Sequence, residues 1–590
     1  MSRKIVSRCV DLFHGSEMKE MRSLRRELVN NWEIEDERNK LFEKFGILIG
    51  AWQGSLPKLR DVFEREEIDW LLSEDLRNST IQDDGLRSTP IVDFAISAGY
   101  RDEPALDRDG APILLRTTPL HHLAGRQRSQ WDDVASKLFR IYDRFEANYV
   151  DVESDRTHFH VACEFGCEKV VEKFLVAGRV DPDCRLPRTG DPALYLALRR
   201  GCRQVLELLL RHGANPNLSD AQGSTPLHLI ARSRDRFFGS DRLGLMRVFF
   251  EIRPTLAVLQ RKSEQRSSHG SVDSEFPACL FEAYEDLRFA RINDLDGEGN
   301  SALHLALLAD ATDEAAEFLL RRGADPNLAN RGWGWTALHV LCARDHYSEN
   351  LRTFLAICDE IRQPVQLEVR DNFDRSPLEW AVSNCLPDAV DVLLDRGAQL
   401  TSFVFPAERF ARRTTLTHAW RLRLAGGALA CIERLQIAGY DFQQAQIVMD
   451  FFCNHGMIER SRVEGARDWY NDEDFVAVAR ACPITRNLSL DDLIRLSANE
   501  AAGRLELGHY RELAESWRRW AVPDGHAEAC VRHLCEKASR PFFRRWALYP
   551  FWYLMHQRLP VELCERIIEN LSNEDFYGIV VAQSLPNNDR

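Results

Sequence analysis

A chain of 590 residues lies far beyond one compact core, so it divides into domains or builds a repeat array whose units each pack only on their neighbours. Its 77 Lys and Arg against 91 Asp and Glu leave a formal net charge of −14, which argues against a nucleic-acid binder, because such proteins displace counterions with clustered cations. The 44% hydrophobic and 28% charged residues are those of an ordinary folded protein, and no run of 18 apolar residues marks a membrane span.

The start, MSRKIVSRCVDLFHGSEMKE, turns to charge too soon for a secretory signal, which predicts a cytosolic (cytoplasmic) or nuclear protein. The 15 cysteines are odd in number and scattered singly, a pattern that fits buried reduced thiols better than a disulfide framework. Residues 1–40 are highly charged, with Leu24, Leu28 and Trp32 at four-residue spacing, and predict an amphipathic lead-in helix that caps the first exposed face of the next segment. Residues 47–72, ILIGAWQGSLPKLRDVFEREEIDWLL, have the pattern of a helix pair without the signature of the later units, as terminal repeats often do.

The stretch 191–231, DPALYLALRRGCRQVLELLLRHGANPNLSDAQGSTPLHLIA, shows the organising unit. Residues 193–197 begin a short helix, Gly201 ends it, and 205–210 supply the apolar stripe of a second helix. Gly213 stops that helix, since a residue without Cβ takes the left-handed cap freely, and Thr225-Pro226 restarts the cycle as N-cap and first helical residue. From Tyr195 to His228 is 33 residues. Period and pattern together closely resemble the ankyrin repeat.

Further units begin near Thr89-Pro90, Thr118-Pro119, Thr157, Ser301, Thr336 and Ser376-Pro377, and Gly397-Ala398 is the last clear repeat terminus. The position held by His121, His160, Tyr195, His228, His304, His339 and Glu379 recurs at steps of 39, 35, 33, 76, 35 and 40 residues. The step of 76 holds a further degenerate repeat or one repeat with a large insertion near 233–295. Insertion is preferred, because 261–275, RKSEQRSSHGSVDSE, have Val272 as their one apolar residue and predict a loop; the second helix of that unit then falls at 243–250. The expected organisation is an N-terminal cap over 1–40 and an ankyrin array of about eight or nine units over 41–400. A different all-α region occupies 401–540, with turns at Pro483 and Pro523-Asp524-Gly525.

The last segment, 541–590, carries FWYLMHQRLPVELCERIIENLSNEDFYGIVVAQ. Pro560 suits a helix start, and Leu563, Ile567 and Leu571 come next at four-residue intervals with Ile568 beside them. Ser572 and Asp575 are placed to cap a further helix whose Phe576, Ile579 and Val580 continue an apolar face, so a helical hairpin is expected. The run Leu559-Pro560-Val561-Glu562-Leu563 through Leu571-Ser572-Asn573-Glu574-Asp575-Phe576 resembles the truncated F-box of the PRANC domain, which follows ankyrin repeats in poxvirus proteins and in proteins of hymenopteran insects; HLCEKASRPFFRRWALYPF over 533–551 is similar to the insect members. The resemblance implies that Leu559, Pro560, Leu563, Ile567, Ile568 and Leu571 face the adaptor subunit of a cullin-based SCF-type ubiquitin ligase, while the repeats hold a target protein.

Other chemistry finds less support. The signature histidines recur once per repeat, about 10 Å apart, against about 4 Å for nitrogens sharing a tetrahedral zinc, so they are expected to tie neighbouring turns by hydrogen bonds. His526, Cys530 and His533 share a helix face but Cys535 does not, and Cys163 and Cys167 suit a core. There is no GxxxxGK[ST], GxGxxG, HExxH or GxSxG, so no enzyme, metal or cofactor is expected. Target recognition is expected at the turn tips: Arg331, Trp333 and Trp335 in NRGWGW, with Asp220, Gln222, Asp371, Phe373 and Arg375 at equivalent places. The expected fold is thus all-α, an ankyrin-repeat solenoid followed by a smaller helical C-terminal domain. The function is expected to be that of a target-recruiting adaptor or, alternatively, of a non-ligase ankyrin scaffold or inhibitor that sequesters a signalling or cytoskeletal partner.

Overall fold

A hydroxyl residue followed three places later by histidine or glutamate sets the start of the first helix in most repeats. In the computed structural model Thr157 Oγ1 accepts the backbone N–H of His160, and His160 Nδ1 accepts that of Thr157 at 3.2 Å. The same reciprocal cap joins Ser301 to His304, Thr336 to His339 and Ser376 to Glu379. The structure describes residues 18–584 except 28–34, 54, 82–86, 125, 127, 233–241, 253–289, 310–313, 344–347, 409–416, 459–468, 518–521 and 523. It divides into two compact units, Met1–Gly323 and Ala324–Arg590.

The first unit begins with helical residues 18–27, which include Leu24; Leu28 and Trp32 lie outside the described residues. It continues with α1 (Glu35–Gly50), α2 (Arg65–Asn78), α3 (Pro90–Ser97) and α4 (Arg128–Ile141). Then come the short pairs α5 (His158–Glu164) and α6 (Glu168–Val176), α7 (Ala193–Arg199) and α8 (Arg203–Arg211), α9 (Pro226–Arg232) and α10 (Arg242–Glu251), and α11 (Ala302–Leu308) and α12 (Glu314–Arg321). First helices are buried nearly all round, as α7 is from Ala193 to Leu198, because neighbours cover both sides. Second helices keep one wet face; in α8 the buried set is Val205, Leu206, Leu209 and Leu210. Gly213 ends α8 at φ +87°, where a Cβ would be strained, and the next N–H, of Ala214, returns to the Leu209 carbonyl at 2.9 Å.

In several repeats the consensus side chain reaches the backbone of the next. His228 Nε2 lies 3.0 Å from the carbonyl of Asn300, and His121 Nε2 lies 3.3 Å from that of Tyr149. Tyr195 stands in for histidine and donates its phenol to the Ser224 carbonyl. The link from His228 to Asn300 crosses the 76-residue step directly. The Gly297 N–H donates to the Gln222 carbonyl at 2.9 Å across the same gap, so the two units are spatial neighbours with no complete repeat between them. Helix α10 covers the expected 243–250, while 253–289 lie outside the described residues.

The second unit opens with the pairs α13 (Ala337–Cys342) and α14 (Ser348–Glu360), then α15 (Pro377–Ser383) and α16 (Pro387–Asp395). A helical part comes after them: α17 (His418–Ile437), α18 (Ala445–Asn454), α19 (Glu473–Ala481), α20 (Leu490–Arg495), α21 (Ala498–Arg504), α22 (Leu507–Ser516), α23 (Asp524–Leu554), α24 (Val561–Ile568) and α25 (Asn573–Ser584). Helix α17 is its axis. A Cβ on Gly427 would stand 2.5 Å from the Cys385 carbonyl and one on Gly426 2.9 Å from the Leu507 carbonyl, so two neighbouring backbones press against α17 where side chains are absent. Two expectations change. Pro483 does not mark a plain turn but begins a two-stranded antiparallel hairpin, β1 (Pro483–Thr485) with β2 (Leu488–Ser489). The expected division at 540/541 falls inside α23, which runs on through Pro541 and Pro550.

Every histidine tie needs a neutral ring, because Nδ1 must accept a backbone N–H. Burial enforces this and lowers the His160 pKa to about 4 and that of His121 to about 4. A depressed histidine pKa contributes stability that is present above the unfolded value and lost as pH falls through the folded one. The stability advantage of the wild type over His160→Gln, measured by chemical denaturation of the full chain, should therefore shrink by up to about 3 kcal/mol between pH 7 and pH 4.

Candidate interaction surfaces

The repeat tips are built by one acidic or amide side chain folding back on its own turn. Asp371 Oδ1 accepts the N–H groups of Phe373 and Arg375 at 2.9 and 3.0 Å, and Oδ2 takes the indole N–H of Trp380 at 2.8 Å. Asp220 does the same for Gln222 and Ser224, Asp296 for Glu298 and Asn300, and Asn330 for Trp333 and Trp335. This corrects two of the expected recognition residues. Asp220 and Asp371 are buried, and their carboxylates hold the tip rather than face a partner.

The other tip residues divide by exposure. Gln222 and Arg331 are exposed, Trp333 is 52% and Phe373 56% exposed, and Trp335 and Arg375 are half-buried. Trp333 lies 5.4 Å from Trp335 and 5.8 Å from Phe373 by ring centroid, and Trp335 meets Trp380 edge-on at 4.9 Å. The Arg375 guanidinium stands 5.7 Å from the rings of both Phe373 and Trp380. Beneath these side chains the Asn372 N–H donates to the Trp333 carbonyl at 2.9 Å, and a Cβ on Gly334, at φ +70°, would meet Asn372 Oδ1 at 2.6 Å. Two adjacent tips are thereby locked side by side with an aromatic and cationic face outward.

The C-terminal hairpin docks on α23. Trp552 Nε1 donates to the Leu559 carbonyl at 2.8 Å across a turn whose His556 and Gln557 take positive φ. Arg540 holds the carbonyl of Leu571 at 2.6 Å, and buried Asn573 donates to Glu536 O and Ser539 Oγ, each at 3.0 Å. Ser572 and Asp575 cap each other reciprocally at the start of α25. On α24 the inward face is Cys564 and Ile568, both fully buried, while Leu563 and Ile567 remain 46% and 44% exposed. Ile568 therefore does not share the outward face expected of it: it lies five residues after Leu563, whereas Ile567 lies four after it and so on the same side. Pro560 is exposed, and Leu559 and Leu571 are half-buried.

Some exposed apolar residues were not anticipated. The stretch following α23's centre leaves Tyr549, Tyr553 and Met555 exposed, and the first unit exposes Leu106, Ile113, Leu115 and Val152 around a hairpin in which the Ile113 N–H donates to the Ala105 carbonyl. The signal in sequence was the aliphatic run Ile113-Leu114-Leu115, separated from the turn Asp109-Gly110 by Ala111 and Pro112. His533 Nε2 bonds the Ile494 carbonyl at 3.1 Å, Cys530 and Cys535 are buried, and among the described residues no group of three His, Cys, Asp or Glu could hold a metal ion. Cys163 is buried, while Cys167 is half-buried at the start of α6. Among the described residues no helix is long and apolar enough to cross a membrane.

Stacked helix pairs, a buried TPLH-type corner in each unit and hydrogen-bonded tips are the marks of an ankyrin-repeat array. A family model for ankyrin repeats (three copies) matches residues 159–238 and 303–403. The chain is 30% identical over 251 residues to Rabankyrin-5 of Mus musculus, covering 38% of this chain and 21% of that protein. It is 24% identical over 251 residues to human transient receptor potential cation channel subfamily A member 1, covering 42% and 18%, and 27% identical over 158 residues to phosphocholine transferase AnkX of Legionella pneumophila, covering 25% and 15%. The matched part is thus about a fifth of these relatives or less. Among solved structures, the ankyrin repeat domain of Bcl-3 is 20% identical, with 42% of this chain and 89% of that one covered and a TM-score of 0.31.

The two kinds of tip residue should separate by experiment. Asp371→Ala leaves the buried Trp380 indole N–H and two part-buried backbone N–H groups without their acceptor and should cost about 2–4 kcal/mol of stability, whereas Trp333→Ala should cost under about 1 kcal/mol, both read by denaturant melts.

Proposed function

We propose that this chain is a protein-interaction adaptor that works in the cytosol or nucleus. Ankyrin repeats are protein-binding modules, and the tip face of Arg331, Trp333, Phe373 and Arg375 holds a target, with Gln222 contributing at its own tip. The C-terminal hairpin recruits the adaptor subunit of a cullin-based SCF-type ubiquitin ligase through Pro560, Leu563 and Ile567, flanked by Leu559 and Leu571. The observation that carries this reading is the pair Leu563 and Ile567, one turn apart and left in solvent on a helix whose opposite face is fully buried. The resemblance of 559–576 to the PRANC F-box supports it.

The test uses surface substitutions rather than truncation, because a chain ending at residue 550 would interrupt α23 and remove the buried Ile568 and Phe576. Leu563→Asp with Ile567→Asp should weaken capture of the purified adaptor subunit at least tenfold while leaving the melting curve and target binding unchanged. Equal capture by both forms rejects ligase recruitment and leaves a scaffold that masks its partner.

A further inference from the structure

The second unit contains a cavity of about 350 Å³ between α17, the 502–510 segment and α23. Its walls include the apolar side chains of Leu505, Leu507 and Phe542 together with Tyr510, and at one place they include Lys537. Lys537 is only 7% exposed and donates to the carbonyl of Leu496, at the end of α20. A helix end favours a cation, so this contact alone would make Lys537 a cap. An ammonium carries three N–H donors, however, and burying it costs several kcal/mol unless the rest are also met. Pro541, which also lines the cavity, can give no N–H to the Lys537 carbonyl one turn earlier, so the backbone there is polar as well. Burial lowers the Lys537 pKa to about 8, which leaves the side chain mostly charged at neutral pH. Glu433 and Glu506 at the cavity and Glu500, which with half-buried Glu536 acts on Lys537, are exposed and stand in high dielectric, where their repulsion of an anion is weak beside the attraction of a buried ammonium.

We propose that this cavity binds a small amphiphilic anion, a medium-chain monocarboxylate, with its carboxylate on Lys537 Nζ and its hydrocarbon against Leu505, Leu507 and Phe542. The space is of the size that encloses a small ligand and far exceeds one water. The site is independent of the docking surfaces described above.

Octanoate is the probe, titrated calorimetrically into the full-length protein, with octanol and octylamine as neutral and cationic controls. Octanoate should bind and raise the melting temperature, octanol and octylamine should bind at least tenfold more weakly, and Lys537→Gln should abolish the preference for octanoate. Gly508 lines the same cavity and an added Cβ there meets nothing within 4 Å, so Gly508→Phe should fold normally and block octanoate without touching the ammonium. A helix cap alone predicts that Lys537→Gln lowers stability and Gly508→Phe changes nothing. No octanoate binding, equal binding to wild type and Gly508→Phe, or tighter binding of octylamine would each overturn the proposal.

Discussion

A side chain buried at the corner of the repeat, bonded to its own turn and to the backbone of the next tip as His228 and His339 are, is the constraint on which the array depends. Histidine serves because one ring nitrogen accepts while the other donates. His228 accepts the Thr225 N–H at 3.1 Å and reaches the Asn300 carbonyl; His339 does so between Thr336 and Arg375. The exceptions obey the chemistry of the partner. Tyr195 faces a carbonyl and offers a hydroxyl. Glu379 ends the series, its neighbour presents the N–H of Val404 at 3.1 Å, and an acceptor is what is needed there. The residue at this position is thus set by whether the next segment offers a donor or an acceptor.

The same constraint decides which residues are left free to recognise anything. Once the corner fixes the spacing of repeats, neighbouring tips come close enough for backbone hydrogen bonds, as between Gly297 and Gln222, where even a Cβ on Gly297 would stand 2.1 Å from the Gln222 oxygen. The tips are therefore rigid, and their first residue, Asp220, Asp296, Asn330 or Asp371, is consumed in shaping the turn. In the proposed function, recognition falls to the one or two side chains at the crown. Where these are Trp333 and Phe373, large apolar area is offered with little rotamer freedom to lose, and Arg375 is already oriented between two rings; such preorganisation lowers the cost of binding.

Most of this fold was legible because ankyrin repeats mark themselves with residues that have few substitutes: a hydroxyl cap, a corner histidine and a glycine at positive φ. Gly213 and His228 announced their roles from sequence. The tip aspartates did not, since a polar residue in a polar turn looks exposed until the direction of its carboxylate is known. Helix α23 hid its continuity behind Pro541 and Pro550, which normally end helices; here the hairpin and α17 pack along it and override the local preference. The short β-hairpin at 483–489 was invisible for the opposite reason, being too short to show any alternation.

The hairpin shows how an apolar motif overstates its own surface. Six apolar or proline positions suggest a broad face, yet a helix turns about 100° per residue, so Ile567 and Ile568 cannot both point outward. The structure gives Cys564 and Ile568 to the interior beside Phe576, where they fix the hairpin to α23, and leaves Leu563 and Ile567 outside. A single exposed leucine would mean little, because much of any protein surface is apolar. Leu563 and Ile567 one turn apart, on a helix whose other face and following cap are fully engaged, form a stripe that cannot rotate inward without breaking the contacts of Asn573 and Arg540. That rigidity, rather than the number of apolar residues, is what the proposed docking role draws on.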